Sequence, residues 1–281
     1  MIPFDLSQIQ DILQAALKED IGAGDITSHA VVPESATATA RYVTKQRLFV
    51  SGVPVAQELV RLVDPNLKFT ILTSDGSSVE AGVVLAEMRG SARSILAVER
   101  VTLNLLQRMC GIASMTHAYV TRVQGTKALV IDTRKTVPGL RLLDKYAVAC
   151  GGGTNHRIGL FDAVLIKNNH LAFHRSLADA LAAARRNLDG SMKIEVEVTN
   201  LDQLREAIRE RADVILLDNF TPELTREAVS ICGGAIPLES SGGITLENIR
   251  EYAEAGVDCI SVGALTHSVQ AADIHLQITP G

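Results

Sequence analysis

The chain has 281 residues, 47% of them hydrophobic, and a formal net charge of −5. This is enough apolar material for one large domain or two modest ones, and the acidic balance argues against a nucleic-acid partner. No apolar run reaches the roughly 18 residues that cross a bilayer, and Met1-Ile2-Pro3-Phe4-Asp5 lacks the basic-then-apolar pattern of a secretion signal, so a cytoplasmic, membrane-independent globular protein is expected. Cys110, Cys150, Cys232 and Cys259 are widely spaced with no C-x-x-C pair, which indicates neither a zinc site nor a disulfide framework.

In chain order, Ile9, Ile12, Leu13 and Leu17 recur at helical spacing and predict an amphipathic helix over Leu6 to Lys18. The turn Glu19-Asp20-Ile21-Gly22-Ala23-Gly24-Asp25 reads equally well as a capped, glycine-rich turn or as a segment near a ligand. Runs rich in β-formers follow at Ala38–Thr44, Leu48–Ser51, Leu67–Thr73 and Val83–Met88, with a helix over Val55–Val63 among them. From Ser91 to Arg122 the pattern is helical, with Leu96, Leu103, Leu106, Met109 and Cys110 on one broad face and Gly111 as a candidate bend. Beyond that helix, strands alternate with helices at intervals of about 20 to 35 residues, as in a β/α barrel. Six strands are legible: Ala128–Ile131, Ala163–Ile166, Lys193–Val198, Val214–Leu217, Ile236–Glu239 and Cys259–Val262. The fold expected is therefore α/β, with a sandwich-like α+β domain over 1–112 and a β/α barrel over 113–267.

The stretch from Ile131 to Leu171 carries most of the chemistry. Asp132-Thr133-Arg134-Lys135-Thr136 follows one buried apolar run and Lys167-Asn168-Asn169-His170 follows the next. Between them lie a helix over Leu140–Ala149, the triplet Gly151-Gly152-Gly153, and Thr154-Asn155-His156-Arg157. Polar residues at the carboxyl ends of parallel strands are where β/α enzymes place their reacting groups. From Arg122 to Arg175 there are nine Lys or Arg and three Asp, a basic focus inside an acidic chain. Arg134, Lys135, Arg157 and Lys167 would repel one another near buried strand ends unless an anion joined them, whereas Arg141 and Lys145 read as a solvated helix face. A small polyanion is the ligand this pattern suits.

Two further groups complete the rim. Glu197 and Asp218 end their strands on the same side, with Glu195 on the face of Glu197. They suit Mg²⁺ held by one or two carboxylates plus substrate phosphates, or ribose hydroxyls, or salt bridges to Lys135 and Lys167. Ser241-Gly242-Gly243 and Gly263-Ala264 follow the last two strands, as a phosphate cradle of backbone N–H groups or as ordinary turns.

The string D-T-R-K-T-x-P-G-x-R, the triple glycine followed by N-H-R, and L-I-K-x-N-H resemble the quinolinate phosphoribosyltransferases. The resemblance runs from Glu19-Asp20 and Gly24-Asp25-Ile26-Thr27 to Ser261-Val262-Gly263. It implies an incomplete, seven-stranded barrel, with the seventh strand disguised near the triple glycine or outside the six legible runs, and a tail over 268–281 that returns to the first domain. It also implies phosphoribosyl pyrophosphate and quinolinate as substrates, Mg²⁺ as cofactor, and nicotinate mononucleotide, pyrophosphate and CO₂ as products. The implied catalytic residues are Lys135, Lys167, Glu197 and Asp218, the last two also on the metal. Thr133, Arg134, His156 and Arg157 join them in binding substrate, with Ser241, Gly242, Gly243, Ser261 and Gly263 around the phosphate. Arginine fits a dicarboxylate because its planar fork makes paired hydrogen bonds to each carboxylate. In the context Glu99-Arg100-Val101-Thr102-Leu103-Asn104, the resemblance implies a homodimer in which Arg100 enters the neighbour's site, with assembly beyond a dimer open. The alternatives are a transferase for another aromatic acid, and a sugar-phosphate aldolase with Lys167 as Schiff-base amine.

Overall fold

The computed structural model describes residues 6–188, 190 and 192–281. Its strands are β1 (Thr37–Thr44), β2 (Leu48–Phe49), β3 (Lys68–Ile71), β4 (Ser78–Val79), β5 (Val84–Ser91), β6 (Leu129–Ile131), β7 (Val164–Ile166), β8 (Ile194–Val198), β9 (Val214–Asp218), β10 (Leu238–Ser241), β11 (Cys259–Ser261) and β12 (Ile274–Pro280). By contacts the chain forms two compact units: residues 1–117, 136–152 and 266–281, and residues 118–135 and 153–265. The division expected at 112/113 falls inside one continuous helix, Ala92–Arg122, which Gly111 does not interrupt. Among the described residues no helix is long and apolar enough to cross a membrane.

The first unit holds an antiparallel sheet in the order β12-β1-β5-β3 and the small pair β2-β4. The tail strand β12 pairs with β1 along its length, from Ala38–Pro280 to Thr44–Ile274. The acidic turn is a capped turn: the Asp25 side chain accepts the Ser28 N–H at 3.0 Å and starts the helix Ile26–Val31. Asp75 does the same for the helix Val53–Val63, accepting from Gly52 N–H at 2.7 Å and Val53 N–H at 3.1 Å, and also takes the Tyr146 hydroxyl at 2.6 Å.

The helix Arg141–Cys150 belongs to this unit because it docks on the long helix. Arg108 grips the buried Asp144 with two hydrogen bonds of 2.8 and 2.7 Å and gives a third, of 3.0 Å, to the Thr266 carbonyl. Gly151 follows directly, and a Cβ there would lie 2.3 Å from the Ala113 carbonyl oxygen. The first of the three glycines thus allows helices to touch. The same docking corrects the expected solvated face: Lys145 is 3% exposed.

The second unit is a parallel sheet in the order β6-β11-β10-β9-β8-β7. All five residues of β8 are buried, and Ile215, Leu217 and Ile260 are fully so, as expected of strands covered on both faces. The helices Leu177–Asn187, Leu201–Arg209, Pro222–Cys232 and Ile249–Ala255 connect the strands. Side chains of Ser176, Asn200 and Thr221 cap the first three, and Gly233 and Gly256 end the last two in left-handed conformations. The strand expected at Ile236–Glu239 starts two residues later and ends at Ser241.

The sheet is open, and a seventh strand survives as a single bridge. Thr154 N–H donates to Val130 C=O at 2.9 Å, and Asp132 N–H donates to Thr154 C=O at 3.1 Å, on the free side of β6. This single residue of strand pairing, directly after Gly153, lies where the resemblance places the seventh strand. Glycine before it supplies neither bulk nor β-propensity, so no periodic signal marked it in the sequence. Among the described residues no ladder joins Thr154 to β7.

Candidate active site

Residues in register on a parallel sheet share a face. Glu197 faces Leu216, Leu216 faces Glu239, and Asp218 faces Ser241, which faces Ser261. These side chains line an open pocket of about 230 Å³ together with Thr133, Arg134, Lys135, His156, Arg157, Leu165 and Lys167.

The pocket is polarised. Its cations come from the segments after β6, the Thr154 bridge and β7, which flank the open seam of the sheet; its acids come from β8, β9 and β10. Arg134, Lys135, Arg157 and Lys167 are therefore brought together, and Glu197 and Asp218 stand beside them. Lys167 Nζ is 3.8 Å from Glu197, whose other oxygen accepts the Asn168 N–H at 3.2 Å. Asp218 accepts from the Asn219 side-chain amide at 3.0 Å.

Arg157 donates to the Ala163 carbonyl at 3.1 Å, and Asp162 closes the intervening loop by accepting the N–H groups of Ile158 and Gly159 at 2.7 and 2.8 Å. Burial, and after it the charge of Arg134, holds the Arg157 guanidinium below its ordinary pKa. Crowded, partly buried cations are destabilised until an anion arrives.

His156 is held from both sides. It lines the pocket, but both ring nitrogens are engaged by the protein. Nε2 lies 3.1 Å from Glu195 and 3.5 Å from Glu239, while Nδ1 accepts the Arg157 N–H at 2.7 Å. Hydrogen bonds to Glu195 and Glu239 raise its pKa to about 10, and burial raises that of Glu239. Ligand atoms of these three residues lie within 4.8 Å of one another.

Four expected residues lie outside the lining. Arg100 is exposed on the first unit's part of the long helix, and Gly242, Gly243 and Gly263 flank the pocket-lining serines without lining it themselves. Gly242 has φ +96°, and a Cβ there would come within 2.2 Å of the Asn219 side-chain oxygen. Its lack of a side chain thus makes room for Asn219, which itself holds a left-handed φ of 57°. Leu165, Leu216 and Glu239 were missed. Period-two spacing from Lys167, Asp218 and Ser241 is the signal that would have found them.

A parallel β/α sheet that gathers cations and carboxylates beyond the ends of its strands defines an enzyme that handles anionic small molecules. Residues 112–277 match the family description "Quinolinate phosphoribosyl transferase, C-terminal domain", and residues 25–110 match the corresponding N-terminal domain. The chain belongs to the quinolinate phosphoribosyltransferase family. It is 44% identical over 275 residues to the nicotinate-nucleotide pyrophosphorylase [carboxylating] of Mycobacterium leprae, covering 96% of each chain. It is 42% identical over 272 residues to the probable nicotinate-nucleotide pyrophosphorylase [carboxylating] of Bacillus subtilis, covering 97% of this chain and 94% of that one. The solved nicotinate-nucleotide pyrophosphorylase of Francisella tularensis superposes with a TM-score of 0.93 at 42% identity, covering 99% of this chain and 98% of that one.

Proposed function

We propose that the protein transfers the phosphoribosyl group of phosphoribosyl pyrophosphate to quinolinate and removes one carboxylate, yielding nicotinate mononucleotide, pyrophosphate and CO₂ for NAD biosynthesis. The observation that carries this reading is the polarised pocket, with Arg134, Lys135, Arg157 and Lys167 facing Glu197 and Asp218. Family membership sets aside the aldolase alternative.

Quinolinate brings two carboxylates, and Arg134 and Arg157 offer two planar forks for them. A mono-acid would leave one cation without its counter-charge, which gives discrimination. The C1′–O bond then breaks with its electron pair on pyrophosphate, while the ring nitrogen bonds to C1′. Lys135 and Lys167 are the chain's groups for neutralising that leaving charge. The C–CO₂ bond next to the now cationic nitrogen breaks next; its electron pair stays on the ring carbon, and a proton from solvent replaces CO₂.

Glu197 and Asp218, on adjacent strands, offer the hard oxygen donors Mg²⁺ prefers, so these two would hold the ion with substrate phosphates completing its shell. Bound there, Mg²⁺ would supply charge neutralisation for the departing pyrophosphate.

Assays of pyrophosphate and CO₂ release test the reading: turnover with quinolinate well above nicotinate supports it, and preference for the mono-acid refutes it. The proposal includes a homodimer in which Arg100, exposed on its helix, completes the partner's pocket. Mixed subunits of the inactive variants Arg100→Ala and Lys135→Ala should regain part of the activity, because one of the two hybrid sites carries both native residues. Hybrids that stay inactive would remove the shared site.

A further inference from the structure

The two cationic runs of the pocket, Thr133-Arg134-Lys135 and His156-Arg157, are separate in sequence, yet a single side chain just outside the lining ties them together. Asp132, the residue before the first run, is fully buried. One of its oxygens accepts the backbone N–H of His156 at 2.8 Å, and the other accepts the Asn155 side-chain amide at 2.6 Å. Its own N–H and the Thr154 carbonyl make one rung of the vestigial strand bridge.

This bridge is the weakest pairing in the sheet, a single residue where β8 and β9 share four register pairs. So short a pairing does not fix the direction in which the next two residues leave. A buried carboxylate that accepts from both Asn155 and His156 does, because both donors must reach its two oxygens at once. Its negative charge also lies next in sequence to the crowded cations, where it offsets part of their repulsion.

We infer that Asp132 and Asn155 form a positioning clip that fixes His156 and Arg157 against Arg134 and Lys135, and so sets the spacing at which the pocket grips its dicarboxylate. The inference rests on the reading of the pocket given above. Asp132 and Asn155 are positioning residues: neither lines the pocket.

The test uses the donor–acceptor sense of the pair. Asn155→Ala removes the amide that donates to Asp132. It should raise KM for quinolinate at least fivefold while changing kcat less than threefold, with the thermal midpoint near that of the parent. Asn155→Asp sets two carboxylates against each other and should lower kcat/KM at least a hundredfold. Adding Asp132→Asn to that variant should recover at least tenfold, because the new amide donates to the new carboxylate and its oxygen still accepts the His156 N–H.

Calorimetric binding of inorganic pyrophosphate to the same proteins reads the clip without turnover: weaker in Asn155→Ala, and better in the double variant than in Asn155→Asp. Should Asn155→Asp fail to fold, a folded, active double variant supports the clip and an inactive one overturns it. KM and pyrophosphate affinity both within twofold of the parent in Asn155→Ala overturn it, as does a double variant no better than Asn155→Asp. A parent protein that binds pyrophosphate in this pattern yet does not turn over quinolinate would refute the proposed function and leave the clip standing.

Discussion

Arg108 in the first unit and Arg157 in the second show two fates of a partly buried guanidinium. Arg108 meets Asp144 fork to fork, and its remaining hydrogen bond goes to the Thr266 carbonyl. Burial still pushes the Asp144 carboxyl above its ordinary pKa despite that partner, as expected where desolvation outweighs attraction. Arg157 has a carbonyl to bond and Arg134 close enough to repel it. The charge of Arg108 is matched inside the first unit, while in the second unit Arg157 and Arg134 repel one another. A fold tolerates such repulsion where a ligand relieves it, and this marks the second unit as the seat of the chemistry.

Breaking the matched pair should show most strongly. Arg108→Ala leaves the Asp144 carboxylate buried without its fork and should cost about 3–5 kcal/mol of unfolding free energy, read by chemical denaturation. A loss below about 1 kcal/mol would erase the contrast between the two arginines. Arg157→Ala should do the reverse. It should lower kcat/KM for quinolinate about a hundredfold, roughly 2.7 kcal/mol, with a thermal midpoint equal to or above the parent's because a repelled cation is gone. A midpoint that falls sharply would place Arg157 with Arg108 among structural arginines.

Relief by an anion can be measured directly. Pyrophosphate at a hundred times its dissociation constant should stabilise the protein by about 2.7 kcal/mol, and Lys135→Ala should shrink the effect at the same concentration. An unchanged midpoint at that occupancy would contradict preferential binding to the folded pocket. As a baseline, Arg175→Ala removes an exposed pair with Asp179 and should change stability by no more than about 0.5 kcal/mol.

Much of the second unit was legible because its signals are local. Apolar runs ending in Asp132, Lys167 and Asp218 mark buried strands and the rim where they stop, and the capping side chains of Ser176 and Thr221 announce their helices. Other features were hidden because their partners are remote in sequence. Lys145 looks like surface charge until Asp144, one residue earlier, is seen to anchor its helix to Arg108. Glu239 looks like the end of a strand until the register sets it against Leu216 and its carboxylate beside His156. The vestigial strand at Thr154 has no length over which a period could show.

The sequence by itself determined which residues carry charge, which runs are buried, and, through the motifs around Arg134, His156 and Lys167, the family. Side-chain alternation and capping act over a few residues, so one chain written in order already contains them. Only the tertiary structure decided that Arg134, Lys135, Arg157 and Lys167 meet around one pocket, that His156 is held between Glu195 and Glu239, and that Asp132 clasps Asn155. Those facts depend on strand order and register, which arise from packing the whole sheet and leave no periodic trace in the chain.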